Sequence, residues 1–162
     1  MRPKNKILAL ASLKKTIARE RSKGKTIAFT NGCFDILHYG HVSYLQAAKK
    51  NGRVLVIGLN SDASVKKIKG PQRPIIPERE RAGILAALEC VDYVTIFKEE
   101  TPLNVIKALK PDVLIKGADW KGKEVVGSDI VKANGGKVEL IRYMPNLSTT
   151  NIVKTVVKKC AG

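Results

Sequence analysis

The stretch Thr30-Asn31-Gly32-Cys33-Phe34-Asp35-Ile36-Leu37-His38-Tyr39-Gly40-His41 constrains this chain more than any other. Lys25-Thr26-Ile27-Ala28-Phe29 before it is short and β-prone, and residues 42–50 after it set apolar side chains at helical spacing. The stretch therefore turns a strand into a helix. In an open α/β sheet such a turn lies at the carboxyl end of a strand, where ligands gather, and the helix presents free N–H groups to them. Gly32 lets a backbone come close to a phosphate, and Gly40 does the same between two imidazoles.

His38 and His41 are the only histidines in the chain. Three residues apart at the start of a helix, their rings point toward one spot. Ordinary core or surface imidazoles, a metal pair and a ligand-facing pair are the readings open at this point. Helical zinc motifs place histidines at i, i+4 around a Glu, and Tyr39-Gly40 supplies no such group.

Along the chain, residues 3–23 read as a leading helix ended by Gly24, and residues 25–30 as the first strand. Residues 53–59 form a continuous apolar run, as in a strand buried on both faces of a parallel sheet. Residues 63–76, with Lys66, Lys67, Lys69 and Arg73, read as a basic loop, either simply solvated or a flap that grips phosphate. Pro77 opens a helix through Leu88, and residues 93–97 form a strand. Thr101-Pro102 caps a helix ending near Lys110, and residues 112–115 are the next strand. Ser128 or Asp129 caps a short helix stopped at Asn134-Gly135-Gly136, residues 137–141 are a fifth strand, and the last helix begins at Ser148-Thr149-Thr150. Alternation of strands and helices gives an α/β fold, a single Rossmann-like domain with a five-stranded parallel sheet. The expected division is an N-terminal helix, 1–24, and the main domain, 25–162.

At 162 residues the chain suits one well-cored domain. No apolar run approaches the roughly 20 residues of a membrane span, so no membrane partner is expected. Residues 7–11 are too short for a signal-peptide core, and the cytoplasm is the expected location. Three widely spaced cysteines, Cys33, Cys90 and Cys160, suit reduced thiols. Lys and Arg total 30 against 14 Asp and Glu, a formal charge of +16. That balance draws polyanions, but aromatic residues make up only 5%, too few for base-stacking platforms, so nucleic acid is not the expected partner.

His38-Tyr39-Gly40-His41 after Gly32-Cys33-Phe34-Asp35 resembles the HxGH signature of the nucleotidyltransferase superfamily. With Asp62-Ala63-Ser64-Val65, Lys69-Gly70, Arg73-Pro74, Lys116-Gly117-Ala118-Asp119, Ala133-Asn134-Gly135-Gly136 and Ser148-Thr149-Thr150, the chain is similar to the D-glycero-β-D-manno-heptose 1-phosphate adenylyltransferases from residue 25 to 159. That family joins the sugar 1-phosphate to AMP from ATP, giving ADP-heptose for lipopolysaccharide core synthesis and releasing pyrophosphate. Many members are fused to a sugar kinase. This chain carries no kinase half and so resembles the free-standing form, with a separate heptose kinase and phosphatase as pathway neighbours and a homo-oligomer, such as a dimer, as its assembly.

The resemblance implies roles by position. His38 and His41 stabilise charge on the α-phosphate, and Lys69 grips phosphate as the third catalytic residue. Gly32, Cys33, Phe34 and Gly40 hold the nucleotide, with Lys116, Gly117 and Asp119 beside it. Ser148 and Thr149 take the β- and γ-phosphates, a role compatible with an ordinary helix cap. Asn60, Asp62 and Arg81 face the sugar phosphate. ATP is the co-substrate, Mg²⁺ accompanies its triphosphate, and no protein metal site is expected. The family commonly has a glycine two residues before Ser-Thr-Thr, where this chain has Asn146. A glycerol-3-phosphate-type cytidylyltransferase is the nearest alternative, and a basic nucleic-acid binding module the remote one.

Overall fold

The computed structural model describes residues 2–142 and 148–160. Five parallel strands, β1 (Thr26–Gly32), β2 (Arg53–Asn60), β3 (Tyr93–Phe97), β4 (Val113–Gly117) and β5 (Lys137–Ile141), form one sheet in the order β3-β2-β1-β4-β5. The helices are α1 (Leu10–Ser22), α2 (Tyr39–Ala48), α3 (Asp62–Lys69), α4 (Glu78–Ala87), α5 (Leu103–Leu109), α6 (Ser128–Ala133) and α7 (Thr149–Cys160). This is a Rossmann-like α/β architecture, with the predicted five-stranded sheet.

Alternation along the strands builds two cores. Ala28, Leu55, Ile57, Val113 and Ile115 face α2 and α4, which contribute Tyr44, Leu45, Ala82 and Leu85. Ile27, Phe29, Val54, Val56 and Leu114 face the other way, toward Leu13 and Ile17 of α1 and Val105, Ile106 and Leu109 of α5. Both faces of the central strands are thus covered, which is why residues 53–59 read as an uninterrupted apolar run.

Winding starts at β1 and proceeds through β2 to β3, then crosses over to β4 and β5. The carboxyl ends of β1 and β4 consequently diverge, leaving a crevice at the switch point. Gly58 of β2 lets the sheet close beneath it, since a Cβ there would stand 2.7 Å from the Phe29 ring.

Four local readings are corrected. The leading helix does not run from residue 3: Pro3–Lys6 is a 3-10 turn, and Ile7 then bridges in parallel to Val94 before α1 begins. The Leu8 N–H donates to Val94 O at 2.9 Å, so this segment covers part of the β3 edge. The start of the basic loop is a helix, α3, because Val65 finds the core and Ser61 Oγ accepts from the Ser64 N–H at 3.2 Å. Neither Ser128 nor Asp129 caps α6. Gly127 occupies that position with φ +81°, a left-handed backbone that glycine adopts readily. Thr101 makes no capping hydrogen bond to α5 either.

Candidate active site

A cleft of about 760 Å³ opens over the carboxyl ends of the strands. Its centre is the turn after β1. Phe34 has φ +43°, rare for a non-glycine residue, and the chain doubles back there so that its ring lies 3.0 Å from where a Gly32 Cβ would be. The ring meets His41 edge-on, centroids 5.2 Å apart.

His38 ends the turn with extended backbone, and its carbonyl accepts from His41 N–H at 2.9 Å and Val42 N–H at 3.2 Å. The two imidazoles stack, centroids 3.8 Å apart and 22° from parallel. Burial lowers the His38 pKa. Burial, reinforced by His38, lowers that of His41 to about 4, a backbone contact at Ile36 offsetting part of the effect. Both rings are therefore neutral at pH 7 in the free protein. Nδ1 of each is buried with no hydrogen-bond partner among the described residues.

Asp35 stands outside the set of site residues expected from sequence, yet its carboxylate organises one cleft wall. It is 2% exposed, pairs with Arg73 Nε, and accepts from the N–H groups of Ile75 and Ile76 at 2.8 and 2.9 Å. The segment after Lys69 is thereby clamped to the turn after β1, and both Lys69 and Arg73 line the cleft. The sequence signal was an acid between Phe34 and Ile36, a position only a buried partner makes tolerable.

On the opposite wall, burial lowers the Lys116 pKa to about 8, with Asp119 acting against the shift. Its ammonium donates to Asn31 Oδ1 and lies 5.1 Å from the centroid of Trp120. Gly117, Asp119 and Trp120 complete this wall, and Ser148, Thr149 and Thr150 close it at the start of α7. Ser148 Oγ accepts from Asn151 N–H at 3.2 Å, so the residue does cap the helix. Asn146 lies outside the described residues.

The cleft thus brings together His38, His41, Lys69, Gly32, Cys33, Phe34, Lys116, Gly117, Asp119, Ser148, Thr149 and Asn60. Gly40 is buried in the first turn of α2, behind the histidines. Two expected substrate ligands stand elsewhere. Arg81 is 1% exposed beneath the floor, and its guanidinium donates to Cys33 O at 2.6 Å, Asn60 O at 2.9 Å, Ile76 O at 2.8 Å and Asp62 Oδ1 at 2.6 Å. With those donors committed, Arg81 and Asp62 tie the ends of β1 and β2 together instead of facing the cavity. Cys33 is half-buried, and burial pushes its thiol pKa up against the nearby Lys69 and Arg81, so it is protonated at neutral pH.

Residues 29–155 match the model of the cytidylyltransferase-like family. The bifunctional protein HldE of Syntrophotalea carbinolica is 54% identical over 155 residues, covering 96% of this chain and 32% of that protein. HldE of Geobacter metallireducens is 56% identical over 153 residues, 94% of this chain and 31% of its own length. The chain spans about a third of the length of these curated relatives. The crystal structure of the lipopolysaccharide core biosynthesis protein from Thermoplasma volcanium GSS1 superposes with a TM-score of 0.59 at 30% identity, covering 74% of this chain and 96% of that one.

Proposed function

This chain belongs to the cytidylyltransferase-like family, and from that premise we propose that it transfers AMP from ATP to D-glycero-β-D-manno-heptose 1-phosphate, forming ADP-heptose and pyrophosphate. The observation that carries the reading is one cleft in which a stacked histidine pair, Lys69, Arg73 and Lys116 converge on the Gly32-Cys33 backbone and the start of α7. Identity above one half to HldE proteins along nearly the whole chain supports the heptose branch over the glycerol-3-phosphate cytidylyltransferase alternative.

Both reactants are anions, and the sugar phosphate oxygen that attacks the α-phosphorus is already ionised at neutral pH. Catalysis therefore needs in-line positioning and charge neutralisation, not a general base. A protonated Cys33 offers no competing nucleophile. His38 and His41, neutral when free, gain protons as phosphate charge approaches, because an anion opposes the effect of burial. As imidazolium donors they stabilise the charge that develops on the α-phosphate. Lys69 and Arg73 hold phosphate oxygens at one wall, Ser148 and Thr149 hold the β- and γ-phosphates, and Lys116, Gly117 and Asp119 serve the nucleotide. Asn60 faces the sugar side, with Asp62 and Arg81 supporting it from below.

Mg²⁺ fits this scheme as the counter-ion of the triphosphate, which it binds through phosphate oxygens and water. Among the described residues no three His, Cys, Asp or Glu side chains converge as a metal cluster. Asp119 is the carboxylate on the nucleotide wall that can reach such an ion's shell. No described helix is long and apolar enough to cross a membrane. A homo-oligomer, with kinase and phosphatase steps supplying the sugar 1-phosphate, completes the proposal.

The test is pyrophosphate release from four nucleotides, each against several sugar 1-phosphates and glycerol 3-phosphate. ATP is expected to exceed CTP by at least roughly tenfold in kcat/KM with heptose 1-phosphate, since a pyrimidine leaves buried base-reading groups unpaired. Turnover of CTP with glycerol 3-phosphate and none of ATP with heptose 1-phosphate overturns the assignment to the heptose branch.

A further inference from the structure

We propose that Glu100 and Thr101, in the turn after β3, read the hydroxyl groups of the sugar phosphate; the inference rests on the sugar-phosphate adenylyltransferase reading above.

The histidine pair divides the cleft. Trp120, the aromatic ring suited to stacking on a base, stands on the β4 side with Lys116 beneath it. The β2 and β3 side presents Asn60, Ile68, Glu100 and Thr101 instead. In-line displacement puts the attacking group and the leaving pyrophosphate on opposite sides of the α-phosphorus, so with the β- and γ-phosphates assigned to Ser148 and Thr149 at the start of α7 the acceptor lies on the far side of the cleft from them.

Glu100 is anomalous in a cleft otherwise suited to phosphate. Its carboxylate has no hydrogen-bond or ion-pair partner among the described residues, although Lys69 and Arg73 line the same cavity. An anion here opposes phosphate binding unless it has another use. A carboxylate is acceptor-only, and two neighbouring sugar hydroxyls supply two donors to its two oxygens. The Thr101 hydroxyl beside it donates or accepts as a third sugar oxygen requires.

The turn is also held firmly. Ser61 N–H donates to Phe97 O at 2.9 Å and Ser64 Oγ to Glu99 O at 2.7 Å, while Asn60 Nδ2 donates to Ser64 Oγ at 2.9 Å. Glu99 is committed, accepting from Asn104 Nδ2 at 2.9 Å and Lys98 N–H at 3.1 Å, and Pro102 is buried. These links fix the turn to the end of β2 and leave Glu100 and Thr101 as its unspent polar groups on the cleft, a preorganised reader.

Glu100→Ala, Glu100→Gln and Thr101→Val are to be assayed by pyrophosphate release, varying heptose 1-phosphate at saturating ATP, then ATP and Mg²⁺ at saturating sugar. Both residues are exposed, and unchanged thermal midpoints verify folding. Glu100→Ala is expected to raise the sugar KM about ten- to hundredfold while the ATP KM stays within about twofold, as on losing a charge-assisted hydrogen bond to the acceptor alone. A 1-phosphate analogue lacking one ring hydroxyl is expected to close the gap between variant and wild type. Wild-type turnover of the sugar phosphate with its KM unmoved in every variant overturns the subsite and leaves the adenylyltransferase reading intact. A shifted Mg²⁺ dependence at constant sugar KM assigns Glu100 to the ion and likewise overturns it. Wild-type protein that turns over no sugar 1-phosphate overturns both.

Discussion

His38 and His41 stack with their ring centroids 3.8 Å apart, each with a buried Nδ1 that no described residue satisfies. Two imidazoles so close cannot both be protonated without an anion between or beside them. Burial keeps the pair neutral at pH 7 in the free protein, and on the function proposed above it gains charge when phosphate enters the cleft.

The first prediction follows from that coupling. In the free protein His41 is expected to titrate near pH 4. Adding pyrophosphate or ATP is expected to raise its apparent pKa by more than about one unit, as a neighbouring opposite charge does. Histidine resonances followed through a pH titration check this. An apparent pKa indifferent to pyrophosphate removes the phosphate-contacting role. The sign for stability also follows: the folded pKa lies below the unfolded value of 6.5, so the unfolded chain binds the extra proton between them. His41 therefore makes the free protein less stable as pH falls from 6.5 toward 4, a trend His41→Ala should flatten in urea denaturation.

His41→Ala is expected to cut kcat by about 10²–10³-fold, the cost of one transition-state donor, with ATP affinity changed little. Equilibrium nucleotide binding, read from the fluorescence of Trp120 on the cleft wall, separates the two quantities. Near-normal turnover in a folded variant contradicts the role.

Lys69 lines the cleft, whereas Lys67 of the same helix is exposed and does not. Lys69→Ala is therefore expected to lower kcat/KM by about tenfold or more and Lys67→Ala by less than about twofold, although both remove one charge. Equal losses that vanish at high salt point to general attraction instead. Lys49, by its place in the sequence an ordinary exposed helix lysine, is not a suitable control, because its ammonium is tied to Asp92 and to Arg53 O.

Arg81→Met is expected to destabilise the fold by about 3 kcal/mol or more, since it strands buried carbonyls and the Asp62 carboxylate together. Denaturation midpoints measure it. A loss confined to activity, with stability intact, returns Arg81 to direct substrate contact.

The strand-to-helix turn, the five strands and the Rossmann-like class were legible because they rest on local signals: apolar runs in β2, β-branched residues, and glycines that only a sharp turn requires. The histidine pair was legible for the same reason, being a matter of spacing within one turn. Where local pattern and packing competed, the sequence misled. Residues 63–69 look like the start of a basic loop because Lys66, Lys67 and Lys69 dominate their second half, and only burial of Val65 against the sheet makes them α3. Ile7 leaves a helical pattern because the edge of β3 offers it a partner some 87 residues away in sequence.

Tertiary structure alone decided which polar groups face the cleft. Arg81 and Lys69 are both basic residues near a proposed phosphate site. Yet the crossing of β1, β2 and the start of α4 surrounds Arg81 with carbonyls and leaves Lys69 at the cavity wall. Asp35 became the clamp on Arg73, and Glu100 a carboxylate without a partner among the described residues, through contacts 35 or more residues away in sequence or through their absence. Long-range hydrogen bonds of that kind leave no periodicity in a sequence, because they depend on where separate strand ends meet in space.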